Sequence, residues 1–101
     1  MPFLPEENPM VWVAVQNLDG VEQFVGQHLT DKDIRFIPFF LEKEDAEYGL
    51  SLLRRQKGGR CEVQAIRFRE LARDAARNGF LLFRTDAEGQ ILDKIDPQVV
   101  A

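Results

Sequence analysis

The sequence predicts an α+β domain: a two-layer arrangement with a mixed sheet of about five to six strands and two helices on one face, in the order β-β-β-α-β-α-β-β. Three observations predict it. A strand-like run at residues 34–41 leads into a helix-like stretch at 42–57, and a second strand-like run at 62–68 leads into a helix-like stretch at 69–78. Each helix-like stretch also ends on glycine, at Gly58-Gly59 and at Gly79, as helices closed by a left-handed residue do.

Residues 1–9 hold Pro2, Pro5 and Pro9 and read as an extended arm, leaving 10–97 as a single domain. In residues 10–16, Val11, Val13 and Val15 alternate with Trp12, Ala14 and Gln16, so both strand faces are largely apolar and the strand is expected to be well buried. Asn17-Leu18-Asp19-Gly20 is a turn, because Asp-Gly tolerates the positive φ of a tight hairpin. Residues 21–26 then return as a second strand, although a short helix over 19–28 fits the same stretch. Residues 30–33 are a polar connection.

The third strand, 34–41, contains Pro38, which cannot donate a ladder hydrogen bond; it is expected at a sheet edge, at a bulge or as the last paired residue. In the helix 42–57, Ala46, Gly49, Leu50 and Leu53 fall at i, i+3, i+4 and i+7 and make one apolar stripe. Glu42, Glu44 and Asp45 open that helix and Arg54, Arg55 and Lys57 close it, each complementing the helix dipole by roughly 0.3–1 kcal/mol when exposed. Gly49 costs up to ~1 kcal/mol against alanine there, which points to a close approach of helix and sheet. The helical crossover makes strands 34–41 and 62–68 parallel neighbours.

The second helix turns Phe68, Leu71, Ala72 and Ala75 inward and sets Arg69, Arg73 and Arg77 along an exposed ridge. Residues 80–84 and 90–95 flank Thr85-Asp86-Ala87-Glu88-Gly89, the spacing of a hairpin closed by a type I turn and a bulge with glycine in the left-handed region.

At 101 residues, 45% hydrophobic and 30% charged, the chain has the size and balance of one globular domain. Such a chain buries roughly 60–70% of its unfolded surface, enough for one core without staples. No apolar run approaches the ~20 residues of a membrane helix. Residues 1–10 have neither a basic n-region nor an apolar h-region, so a signal peptide is not expected. Cys61 is the lone cysteine and excludes an internal disulfide, so the expected compartment is the cytoplasm. Charge is unevenly spread: residues 1–53 carry a net −7, residues 54–84 a net +6 and residues 85–101 a net −3.

Several chemistries find little support. One histidine and one cysteine, His28 and Cys61, are too few for a Zn-type site, and Glu42, Glu44, Asp45 and Glu47 span two helix faces without a cation-binding loop. No metal or cofactor is expected. Gln56-Lys57-Gly58-Gly59-Arg60 follows a helix and precedes a strand, the reverse of a phosphate-cradling loop. Catalysis through Cys61 and His28 requires the fold to join them and a third group to orient the base, and no enzyme is expected. Arg54, Arg55, Lys57 and Arg60, with Arg69, Arg73 and Arg77, are the best candidates for an anion or nucleic-acid surface. Against that stands a pI near 5.0.

Phe39 and Phe40 are adjacent and point to opposite sides of their strand, so one of them is exposed unless both sheet faces are covered. With Pro38 beside them at an expected edge, they mark the expected contact with a protein partner or a second copy, and Arg54, Arg55, Arg69, Arg73 and Arg77 are expected to tune its charge.

Ile37-Pro38-Phe39-Phe40-Leu41-Glu42-Lys43-Glu44-Asp45-Ala46, followed by Arg69-Glu70-Leu71, Gly79-Phe80 and Asp96-Pro97, resembles the N-terminal domain of SseB-type proteins. There, too, a strand ending in a Pro-Val-Phe-like segment enters a helix through a short acidic stretch, and a second strand–helix unit follows. The plan is similar to small cyanobacterial domains and to the intermembrane-space subunit of the Tic translocon. The resemblance spans roughly residues 10–97 and implies a non-enzymatic module acting through protein contacts. The longer relatives carry a second domain, and none is expected from these 101 residues.

Overall fold

The computed structural model describes residues 3–52 and 60–100. β1 (Met10–Leu18) turns at Asp19-Gly20, whose φ angles of 53° and 84° are those of a two-residue hairpin, into β2 (Val21–Phe24). Residues 21–24 are therefore strand and not helix, in antiparallel register with 15–18. After a two-residue offset, β3 (Gln27–Leu29) pairs antiparallel with β4 (Ile34–Phe40), so His28 lies within a strand. Then follow α1 (Lys43–Leu50), β5 (Arg60–Arg67), α2 (Phe68–Asn78), β6 (Leu81–Thr85), β7 (Ile91–Ile95) and a short α3 (Pro97–Val100). The described residues thus form a mixed sheet of seven strands with three helices, an α+β fold. No described helix is long and apolar enough to cross a membrane.

The sheet is forked. Val13 pairs with Phe39 on one side and Gln64 on the other, while Val15 pairs with Phe24 on the first side and Glu62 on the second. β1 therefore keeps β5 along one whole flank and divides the other between β4 and β2. Phe36 likewise pairs with Gln27 on one side and Leu81 on the other, so β2 and β3 fill the fork between β1 and β4. The spatial order is β5, β1, the fork, β4, β6, β7, with β5 and β7 at the edges.

Two expectations are corrected here. β4 is an interior strand, and Pro38 lies in the gap between the residues paired with β3 (Ile34–Phe36) and those paired with β1 (Phe39 and Phe40), where the ladder on that flank is already interrupted. The parallel neighbour of β4 is β6 and not β5, which runs antiparallel to β1 from Arg60 to Arg67.

Both sheet faces are covered. On one face Val11, Val13, Val15, Ile37, Phe39 and Leu82 pack with Phe68, Leu71, Ala72 and Ala75 of α2. On the other, Phe36 stacks on Phe83 with ring centroids 4.3 Å apart, and α1 closes over Phe40. A Cβ on Gly49 would lie 2.8 Å from the Phe40 ring, so the glycine is what lets α1 approach. The helices therefore lie on opposite faces, not on one, which explains two adjacent buried phenylalanines. α1 also ends earlier than expected: the Ser51 hydroxyl donates to the Tyr48 carbonyl and the Ser51 and Leu52 amides make i→i+3 bonds. Leu53, Arg54, Arg55, Lys57 and the Gly58-Gly59 terminator lie outside the described residues.

α2 ends as its sequence predicts. Gly79 is left-handed (φ 77°), Phe80 N–H donates to Ala75 O, and Gly79 N–H donates to Ala76 O. The N-terminal arm is more than an extended appendage. The Phe3 ring packs 5.3 Å from Phe39 and 5.1 Å from Phe68. Asn8 Oδ1 accepts the Arg69 N–H at 2.8 Å and Pro9 O accepts the Phe68 N–H at 2.9 Å, so the arm caps α2 from 61 residues away.

Candidate functional site

α2 covers only part of its sheet face. Beside it an open groove of about 840 Å3 runs over the half of the face that carries β2. Its apolar surface comes from the half-buried rings of Phe24 and Phe80 and from Ile66, over the buried Val15 and Ile37. One wall is α2, which presents Glu70, Asp74 and Asn78, spaced i, i+4 and i+8 on one flank. The opposite wall is β2 with Glu22.

The electrostatics are one-sided. Gln64 Nε2 donates to Glu62 Oε1 at 2.7 Å and to Glu22 Oε2 at 3.2 Å, tying the carboxylates of β5 and β2 together across β1. Glu70 and Asp74 have no ion-pair partner among the described residues. Arg35 is the one cation among the lining residues, and its guanidinium lies over the Phe80 ring, 5.3 Å from the centroid. The groove therefore offers half-buried aromatic and aliphatic surface beneath a rim carrying Glu22, Glu70 and Asp74.

The residues singled out in the sequence are distributed differently. Pro38, Phe39 and Phe40 are fully buried, Phe39 under Phe68 at 5.5 Å and Phe40 under Gly49. They are core, and the proposed contact surface at those side chains is withdrawn. Arg69, Arg73 and Arg77 are exposed on α2, about 100° around the helix from the Glu70–Asp74–Asn78 stripe, and form no ion pair among the described residues. Arg54 and Arg55 lie outside the described residues. His28 Nε2 is 3.0 Å from Asp33 Oδ1 on the β3 side of β1, whereas Cys61 is in β5 on the far side, so the two do not meet. Among the described residues no group of three or more His, Cys, Asp or Glu side chains is placed to hold a metal ion.

The groove was only half visible in the sequence. The four-residue spacing of Glu70 and Asp74 already sets them together on one flank of α2, apart from the arginine ridge. Glu22 and Arg35 gave no signal, because their place depends on the fork between β1 and β4. No family model matches the chain, and neither does any curated protein or solved structure.

Proposed function

We propose that this chain is a non-enzymatic protein-interaction module that holds a basic, apolar segment of a partner protein in the groove beside α2. The observation that carries the reading is the combination of half-buried Phe24, Ile66 and Phe80 with the rim carboxylates Glu22, Glu70 and Asp74. Apolar side chains of the partner gain from leaving water against the floor, and its lysines or arginines meet carboxylates that form no ion pair among the described residues. The resemblance to SseB-type N-terminal domains supports the same class of role. The lone Cys61 suits a reducing compartment, and we place the module in the cytoplasm.

The test uses a fluorescent peptide of alternating leucine and lysine, with a control in which glutamate replaces lysine. The wild-type chain is expected to bind the first and not the second. Glu70→Lys with Asp74→Lys is expected to weaken binding by at least ~10-fold, while Arg73→Glu leaves it unchanged. Equal binding of the acidic peptide, or no effect of the double reversal, overturns the reading.

The exposed ridge of Arg69, Arg73 and Arg77, without an ion pair among the described residues, favours a second reading, a surface for nucleic acid or another polyanion. Its signature is binding of an oligonucleotide that collapses between about 50 and about 200 mM salt and is lost in Arg73→Glu.

A further inference from the structure

The peptide groups of β5 divide by parity. Val25 N–H donates to Ala14 O, so the even residues of β1 turn their peptide groups toward β2 and the odd ones toward β5. Val11, Val13, Val15 and Asn17 therefore bond Ile66, Gln64, Glu62 and Arg60. The Phe68 N–H to Pro9 O bond continues the same series. It follows that Cys61, Val63 and Ala65 aim their N–H and C=O groups outward, and they have no backbone partner among the described residues. β5 keeps register with β1 over eight residues without a bulge and contains no proline. Of the devices that blunt an edge, a bulge, proline and short length are missing along its described residues, and its charges, Arg60, Glu62 and Arg67, are of both signs.

We propose that β5 pairs with β5 of a second copy, antiparallel about a two-fold axis at Val63, joining two sheets into one. The side chains are self-complementary in that register. Val63 faces Val63, Cys61 faces Ala65, Arg60 faces Ile66 and Glu62 faces Gln64, so no like charges are opposed. The Gln64 amide, already 2.7 Å from Glu62 of its own chain, stands opposite the second copy's Glu62. Sliding toward Arg60, to an axis at Glu62, opposes two glutamates. Sliding the other way, to an axis at Gln64, sets Arg60 against Phe68, which is already helical. Cys61, Val63 and Ala65 also lie on one sheet face, where the half-buried Cys61 and Val63 and the exposed Ala65 gain apolar neighbours across the axis.

The first test is sedimentation of the full chain over a concentration series, with amide hydrogen exchange read residue by residue. A dimer is expected, with the Cys61, Val63 and Ala65 amides protected at high concentration and exchanging freely on dilution. Glu62, Gln64 and Ile66 should stay protected throughout. Val63→Pro removes an outward N–H and should give a folded monomer, whereas Gln64→Pro removes a bond to β1 and should lose the fold. Should Val63→Pro prove unfolded, Val63→Lys keeps the N–H and sets two like charges on the axis, and is expected to give a folded monomer. A chain that remains monomeric at millimolar concentration with the three outward amides unprotected overturns the proposal. So does a dimer that survives in folded Val63→Lys, or protection of the three amides only when a peptide from another protein is added.

Discussion

The two edges of this sheet are built on opposite plans. β7 is five residues long, its register with β6 shifts between Arg84 and Thr85, and its middle carries Asp93 and Lys94. Asp93 is held by the Arg84 guanidinium, and the Lys94 ammonium lies 5.7 Å from the Phe83 ring centroid. A bulge, charge and short length are the devices by which proteins keep a strand from recruiting another. β5 has the length without the interruption, and its outward peptide groups alternate with Arg60, Glu62 and Gln64 that are already bonded to β1. Unsatisfied peptide groups are free to hydrate at an exposed edge, so an open β5 does not endanger the fold. The difference between the edges therefore bears on association and leaves folding untouched.

That separation breaks down in the strand between them, where the largest effect is expected. Phe39 and Phe40 occupy opposite faces of β4 under α2 and α1, with essentially no exposure. Phe39→Glu and Phe40→Glu each put a carboxylate into close-packed apolar surroundings in addition to losing the ring, whose deletion alone costs about 3–5 kcal/mol. Both are expected to unfold the chain by circular dichroism, whereas a charge at Val63 leaves a native spectrum. A folded Phe39→Glu protein would show that α2 is less firmly seated on its face than the Phe3, Phe39 and Phe68 ring contacts require.

How legible each region was in the sequence follows from the range of the forces that set it. Asp19-Gly20, Gly79 and Gly89 declared their turns because each sits at a positive φ that few residues accept, and the Asp86–Gly89 bond closes the expected bulged hairpin. The alternating valines of β1 announced a strand covered on both faces, and Leu71, Ala72 and Ala75 announced the buried side of α2. Strand pairing was harder to read. Two strands joined through a helix are usually parallel neighbours, yet β5 found β1, because α1 crosses the face of Phe40 instead of that of Phe39. Pro38 argued for an edge because a missing N–H is safest there. A fork that interrupts the ladder inside the sheet does the same service, and no local pattern distinguishes the two. The acidic groove failed to show for the same reason: Glu22 and Glu70 are 48 positions apart, and only the fork brings them to one trough.

Each edge strand also runs directly into a helix, and the caps differ as the edges do. β7 enters α3 through Asp96, whose carboxylate accepts the Gln98 N–H from within the same turn. β5 enters α2 through a cap borrowed from the arm, Asn8, which adopts a left-handed φ of 51° to present its side chain. Asn8→Ala is expected to lower stability by about 0.5–2 kcal/mol in urea unfolding. Because Asn8 and Phe3 belong to one arm, the substitution should also loosen Phe3, seen as faster exchange of the first-turn amides of α2. Asp96→Ala should leave those amides unchanged. Equal loss in both variants would mean that the arm does not act as a cap at all.

The smallest effect belongs to the guarded edge. The Arg84 and Asp93 side chains are 23% and 46% exposed, so their pairing is screened by solvent on one side. Asp93→Ala is expected to cost no more than about 1 kcal/mol, and less as salt rises. Its informative readout is association. The bulge at Arg84/Thr85 remains in that variant, and so does Lys94, so β7 should stay unpaired by sedimentation when the carboxylate is gone. Removing the second charge as well, with Asp93→Val and Lys94→Val together, leaves the bulge and the short length of β7 as guards beside the exposed Ile91 and Leu92. Higher-order species in that double variant, formed with Val63→Lys blocking β5, would show that charge holds the β7 edge open to water. A monomer there assigns the protection to backbone geometry instead of charge: the bulge misaligns the peptide groups a partner strand would have to meet, and the short strand offers few of them.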